Sequence, residues 1–285
     1  MQLKKRYIAL IIILLLIALL AGSCIFLSHP KPDGVPGPKA DALAKRIQQQ
    51  MNLKAWRDTG AIQWIFSGRN RHIWDKKRNF SIVRWGSGHS EVKAVFSIPS
   101  YKKGVVYQGN KKVNDPEKRQ KLLKKAYAAW INDSFWLNPI AKFFDKGTTR
   151  RLVTNKDGSN SLLVEYKSGG LTPGDAYLYE QGANGLPKRW RMWVSNIPIR
   201  GLAATFSGWE TLSTGVKIST SHDIGFFVLK LSDVKAAKDI RNLLGKDPFT
   251  ELVAKKNAAQ PTSKRTPSPK PTTPKPTTPK PTTPR

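Results

Sequence analysis

Few residues in this chain of 285 could do chemistry. Cys24 is the single cysteine, so no disulfide can form within the chain and its thiol stands alone. The four histidines are His29, His72, His89 and His222, scattered over separate segments. A metal site built from the last three would need the fold to gather them, and nothing in their spacing suggests it. No His-Glu-x-x-His, cysteine–histidine cluster or Gly-x-Ser-x-Gly is present. Asp223 beside His222 and Asp133 within Asn132–Asp133–Ser134 form no recognisable acid–base dyad. Ser134 has no evident partner, so a helix-end role suits it better than nucleophile. Ser168–Gly169–Gly170–Leu171–Thr172–Pro173–Gly174–Asp175 could cradle an anion on its backbone amides, but a sharp strand connection needs the same residues. No catalytic residue, metal or cofactor is expected. The chain reads as a non-enzyme.

What remains is a thiol in a special place and an unusual supply of aromatics. Lys4–Lys5–Arg6 precedes an apolar run from Tyr7 to Ala21, and Ala21–Gly22–Ser23 leads into Cys24. That order is an export signal: a cationic start retained in the cytoplasm, an inserting stretch, then small residues. Ala21–Gly22–Ser23–Cys24 resembles the bacterial lipobox, which implies acylation of Cys24 and loss of residues before it. The alternative is an uncleaved transmembrane anchor, because Ile25–Phe26–Leu27 extends the apolar run to about 20 residues. Either way the chain belongs to the bacterial cell envelope, on the exported side.

Nine tryptophans are present, and the aromatics recur in nearly every expected element. Trp64, Phe66, Trp74, Phe96, Tyr107, Trp130, Phe135, Trp136 and Trp193 are the candidates for an apolar ligand cleft. Trp190 and Trp193 fall on opposite faces of one strand, as do Ile82 and Trp85. Both faces of the sheet must therefore meet something apolar: a helix on one side, and a second layer, a ligand or a membrane on the other.

Lys and Arg number 49 against 19 Asp and Glu, a net charge of +30. Lys4, Lys5 and Arg6 carry three of these charges and the segment after Glu251 carries eight, leaving +19 on the domain. Such a field favours anionic partners, and in an exported protein these are lipids or envelope polymers, not nucleic acid.

Four regions follow: residues 1–24 as signal or anchor, 25–38 as a Pro/Gly tether, 39–253 as the domain, and 254–285 as a basic tail. The tail ends in three copies of Pro-Lys-Pro-Thr-Thr and suits extended polyproline II. Its candidate polymer-binding cations are Lys264, Arg265, Lys270, Lys275, Lys280 and Arg285. Within the domain, Leu43, Ile47 and Met51 predict a helix over Ala40–Asn52. Asp115 and Pro116 begin a long helix striped by Leu122, Leu123, Ala126, Tyr127, Trp130 and Ile131. A short helix over Pro139–Phe144 and a terminal one over Ala236–Leu244 are also expected. Alternating segments before and after the long helix predict an antiparallel meander. The fold class is α+β: a large curved antiparallel sheet, a half-barrel of about ten to twelve strands, wrapped around a few inserted helices. Such a sheet leaves an apolar cleft against the helix in its hollow.

The exported leader, the opening helix, the meander and the inserted helices together resemble the LolA/LolB superfamily of lipoprotein carriers and receptors. Trp56 to Trp85 and Asn132 to Pro139 are similar to segments of uncharacterised bacterial proteins of that kind. The resemblance implies a domain that takes an acyl chain, of a lipid or a lipidated protein, into its cleft without covalent chemistry. Ile25 after Cys24 would then favour sorting to the outer membrane in a Gram-negative host. The competing reading is a structural envelope protein whose basic tail grips wall polymer or lipopolysaccharide.

Overall fold

The computed structural model describes residues 2–168 and 172–258. The tail cations from Lys264 to Arg285, and Gly169 to Leu171 of the glycine loop, lie outside them.

In chain order the elements are α1 (Gln2–Phe26), β1 (Val35–Pro36), α2 (Pro38–Met51), α3 (Leu53–Asp58), β2 (Ala61–Phe66), β3 (Asn70–Asp75), β4 (Phe80–Trp85), β5 (Val92–Ser97), β6 (Val105–Gln108), β7 (Lys111–Lys112) and α4 (Pro116–Leu137). Then come β8 (Thr148–Thr154), β9 (Asn160–Tyr166), β10 (Ala176–Gln181), β11 (Pro187–Trp193), β12 (Leu202–Thr205), β13 (Ser207–Thr211), β14 (Lys217–Asp223), β15 (Val228–Ala237), α5 (Ile240–Leu244) and α6 (Thr250–Ala258). The class is α+β, as expected. The strands number fifteen among the described residues, against an expected ten to twelve, and they form two antiparallel sheets instead of one. Six follow the order β1-β8-β9-β10-β11-β12; nine follow β13-β14-β15-β2-β3-β4-β5-β6-β7.

The sheets meet where the sequence predicts one strand. Residues 203–212 read as continuous alternation, but Phe206 separates β12 from β13, and the chain changes sheet there. The Phe206 amide donates to the Lys188 carbonyl at 2.8 Å, and the Asp223 amide donates to Thr205 Oγ1 at 2.9 Å. Those bonds tie the two ladders across the junction, so the sheets continue as one curved surface without closing into a barrel.

Helices fill the hollow. Asp115 caps α4 by accepting the Lys118 amide at 3.0 Å, with Pro116 in the first turn. Leu123 and Ala126 of α4 pack on Val83, Ala94, Phe96 and Val106 of the nine-stranded sheet. Further along, Leu137 joins Leu43, Ala44, Ile47 and Met51 of α2 in the main core with Leu162, Val164 and Trp190 of the six-stranded sheet. Gln48, buried on α2, donates to the Ile140 carbonyl at 2.9 Å, fixing the short 3₁₀ turn that stands in place of the helix expected at 139–144.

Both outer faces are covered, by different means. On the nine-stranded sheet, Phe80, Ile82, Val95 and Val105 pack under Ile240, Phe249 and Leu252 of the α5–α6 segment. Arg78 holds that segment through Asp247 at 2.7 and 2.9 Å. On the six-stranded sheet the cover is the segment read from sequence as a tether. Ser28 to Pro36 does not hang free. The His29 amide donates to the Arg200 carbonyl at 2.8 Å, Trp193 Nε1 donates to the His29 carbonyl at 2.9 Å, Lys31 pairs with Glu165, and Val35 pairs with Leu152. Gly201 (φ +72°) lets the chains approach: a Cβ there would sit 3.0 Å from His29 Cβ and 3.3 Å from the Trp193 ring. Residues 28–36 are a strap.

Candidate functional site

The inner faces of β9, β10 and β11 carry Tyr166, Tyr177, and Trp190 with Met192 at alternate positions, all turned toward α4 by the period-two pleat. Opposite them α4 presents Tyr127, Trp130, Ile131, Ser134, Phe135 and Trp136. Between the two layers lies a cavity of about 490 Å³, within the range of small-molecule sites. Phe135 packs on Tyr166, Tyr177 and Trp190 at centroid distances of 5.5, 4.9 and 6.0 Å, and Trp136 meets Trp190 edge-on at 4.8 Å. The wall is therefore a continuous aromatic surface. Among the described residues, the indole N–H groups of Trp130 and Trp190 meet no acceptor.

The mouth is polar. Lys142, Asp145 and Lys146 line one side, Ser168, Thr172 and Asp175 another, and Asn196 a third. Asp175 ties two mouth loops together: its carboxylate accepts from the Thr172 hydroxyl and, at 3.2 Å, from the Ser195 amide. The glycine loop thus ends in a strand connection, with Gly174 donating to the Tyr166 carbonyl at 2.7 Å. Burial, with the neighbouring Asp175 carboxylate, pushes the Tyr177 hydroxyl well above its ordinary pKa. Tyr166 is raised too, chiefly by burial. These phenols stay neutral and can donate or accept.

Three of the nine cleft candidates line this cavity: Trp130, Phe135 and Trp136. The other six do not. Trp64 is buried and stacks on His72 at 4.4 Å; Trp74 packs edge-on against Trp130 and Trp56. Phe66 packs against the main core, and Phe96 is sealed between the nine-stranded sheet and α4. Tyr107 sits on the outer face, donating to Glu251 at 2.6 Å, which pushes its pKa up to about 12. Trp193 lies under the strap. Tyr127, Tyr166, Tyr177, Met192, Val194 and Ile197 also line the cavity and are not among the cleft candidates read from sequence. Leu162–Val164–Tyr166 and Trp190–Met192–Val194 recur at period two, so the pleat puts each set on one face, although Leu163 and Trp193 make the opposite face apolar too. Which strand would face the open half of α4 was not written there.

The histidines are kept apart. His72 Nε2 bonds Asp133 Oδ2 at 2.7 Å, deep between β3 and α4, where Asn70 and Asn132 also donate to Asp133 at 2.8 and 2.9 Å. His222 donates from Nδ1 to the Thr205 carbonyl at 2.8 Å, amid Trp136, Trp190 and Phe206; burial lowers its pKa to about 4. His89 is exposed in the β4–β5 connection. Among the described residues no three His, Cys, Asp or Glu side chains lie close enough to hold a metal ion. Cys24 is free and half-buried. Among the described residues no helix is long and apolar enough to cross a membrane. Leu10 to Ile17 of α1 are nonetheless exposed.

No known protein family matches this chain, and no curated protein does. Among solved structures it is similar to a DUF1329 family protein from Desulfovibrio piger, with 11% identity and a TM-score of 0.38 over 74% of this chain and 95% of that one.

Proposed function

We propose that this is an exported, membrane-attached protein of the bacterial cell envelope that binds an acyl chain, of a lipid or a lipidated partner, without covalent chemistry. The observation that carries this reading is the aromatic cavity between α4 and β9–β11, with hydroxyls, amides and two lysines gathered at its mouth. An acyl chain entering it gains about 0.8 kcal/mol for each methylene removed from water. Lys142 and Lys146 suit an anionic headgroup left outside, although Asp145 shares the rim and pairs with Lys142 at 3.2 Å. Attachment would run through a lipid on Cys24 or through α1 lying on the membrane surface, since no described helix is long and apolar enough to cross it. A lipoprotein-handling half-barrel of the LolA/LolB kind is the fold-level precedent, supported by a curved antiparallel sheet closing over an inserted helix.

Native mass spectrometry of the full chain, released gently from detergent, tests the proposal. An added mass of fatty acid or phospholipid is expected, and Ile131→Phe/Val194→Phe, which fills the cavity, should abolish it. Brominated acyl chains should also quench the tryptophans of the unaltered protein, because Trp130, Trp136 and Trp190 line the site. An apo mass unchanged by lipids and acylated peptides, with no quenching, would sink the reading.

A second activity has its own observation. Lys102, Lys103, Lys111, Lys118, Lys121 and Lys124 are exposed around the start of α4, a bank suited to an anionic envelope polymer. We propose it as an auxiliary grip alongside the basic tail. Retention on wall polymer or lipopolysaccharide should weaken on charge reversal at Lys118, Lys121 and Lys124; unchanged retention would remove it.

A further inference from the structure

The connections β2–β3, β4–β5, β9–β10, β11–β12 and β14–β15 all lie at one end of the curved sheet, because each joins strands running antiparallel in the same sense. The cavity mouth is at this rim: Ser168 and Thr172 belong to the β9–β10 connection, and Asn196 and Ile197 to β11–β12. Two apolar features share it.

The first is the β14–β15 hairpin. Its tip is held by the Ile224 amide donating to the Phe227 carbonyl at 3.0 Å and the Gly225 amide donating to Asp223 Oδ1 at 2.8 Å. That closed turn thrusts out Phe226, Phe227 and Val228, which are 70%, 46% and 47% exposed. Among the described residues the two rings touch no aromatic but each other, at 5.2 Å. Three consecutive exposed apolar residues at a hydrogen-bonded tip are not accounted for by the core.

The second is the end of α1. The strap begins at this rim, where Ser28 Oγ accepts the Arg200 amide at 2.9 Å and the His29 amide donates to the Arg200 carbonyl. Only Leu27 separates the last residue of α1 from Ser28. If the chain is instead anchored through Cys24, five residue steps reach His29, about 17 Å at full extension. Either attachment leaves the rim almost no freedom to leave the membrane surface. Arg69, Arg200 and Lys230 are exposed in the loops and strand around the hairpin and suit anionic headgroups, while Asp223 is the acid at the tip.

We infer that the rim is a bilayer-docking surface. The Phe226–Phe227–Val228 tip enters the interfacial layer, and the strap holds the cavity mouth against the lipid from which its ligand is drawn. The occupant is a phospholipid bilayer, chosen because the anchor leads into the same rim and because cations flank the apolar tip. The inference rests on the membrane attachment proposed above.

The test uses the full chain with Cys24 and its attachment intact, reconstituted in phosphatidylethanolamine–phosphatidylglycerol vesicles, with the chain lacking a new cysteine labelled in parallel as the control for Cys24. A polarity-sensitive fluorophore is placed on a new cysteine by Phe227→Cys, or by Asp157→Cys in the β8–β9 turn at the opposite end. Doxyl-labelled lipids should quench the probe at 227 and leave the probe at 157 untouched. Phe226→Asp/Phe227→Asp should slow acyl uptake from vesicles several-fold and leave affinity for a micellar acyl ligand unchanged. No lipid quenching at 227 would overturn the inference, even where acyl binding persists. A concentration-dependent blue shift without lipid quenching would assign the tip to a second copy of the chain and overturn it too. Quenching at 227 without any acyl binding would uphold docking and remove the ligand reading instead.

Discussion

Asp133 is where one side chain holds the most structure. Its carboxylate, only 2% exposed, gathers Asn70, His72 and Asn132, joining β3 to the C-terminal end of α4. Asp133→Ala would leave buried His72 without its acceptor and release the half-buried Asn70, at roughly 1–3 kcal/mol. Urea unfolding should show that loss, and Asp133→Asn should recover part of it. His222 makes a pH prediction. Its pKa falls from 6.5 to about 4 on folding because burial disfavours the cation. The unfolded chain therefore binds the proton first, so stability is fully present above pH 6.5 and declines as pH falls toward 4. The decline amounts to at most about 3 kcal/mol. Unfolding midpoints measured from pH 7 to pH 4 should fall more steeply for the unaltered protein than for His222→Gln. Equal slopes would show that His222 does not titrate in that window. Neither role was legible in sequence, where Asp133 formed no recognisable dyad and His222 stood only beside Asp223. Their partners are brought from 61 and 17 residues away.

Among the elements, the strap departs furthest from its sequence reading. Four prolines and two glycines between Ser28 and Pro38 suit an extended chain, and extended it is. What composition does not encode is that Trp193, left on the outer face by the pleat, offers an indole N–H to that chain. Trp193→Phe keeps the ring and removes the bond to the His29 carbonyl, costing about 1 kcal/mol. Hydrogen exchange should then quicken at His29 and through residues 29–36, with α4 unaffected; unchanged exchange would show that the strap is held elsewhere. Helix α4 was readable from Asp115 to Ile131 because cap, proline and stripe agree. Its last turns were less so. Phe135 and Trp136, beyond the stripe, join Trp130 in facing the cavity, where periodicity has no preference.

At the scale of the whole molecule, cavity and tail are separable. The cavity is built from residues between Tyr127 and Ile197, so removing residues 264–285 should leave acyl affinity unchanged while reducing retention on anionic polymer. Equal loss of both in a binding assay and a polymer pull-down would mean that the tail serves the cavity. The apolar leader, the basic balance, the antiparallel class, the long capped helix and the two-sided apolar strands were all determined by the sequence itself. Each is a local matter of charge, periodicity or capping, set within about a dozen residues. The division into two sheets at Phe206, the strap over Trp193 and the choice of Tyr166, Tyr177 and Met192 as cavity wall were decided only by tertiary structure. An alternating strand records that its two faces differ. Which neighbour covers each face depends on where the chain returns, and hydrophobic burial rewards any apolar neighbour without naming it.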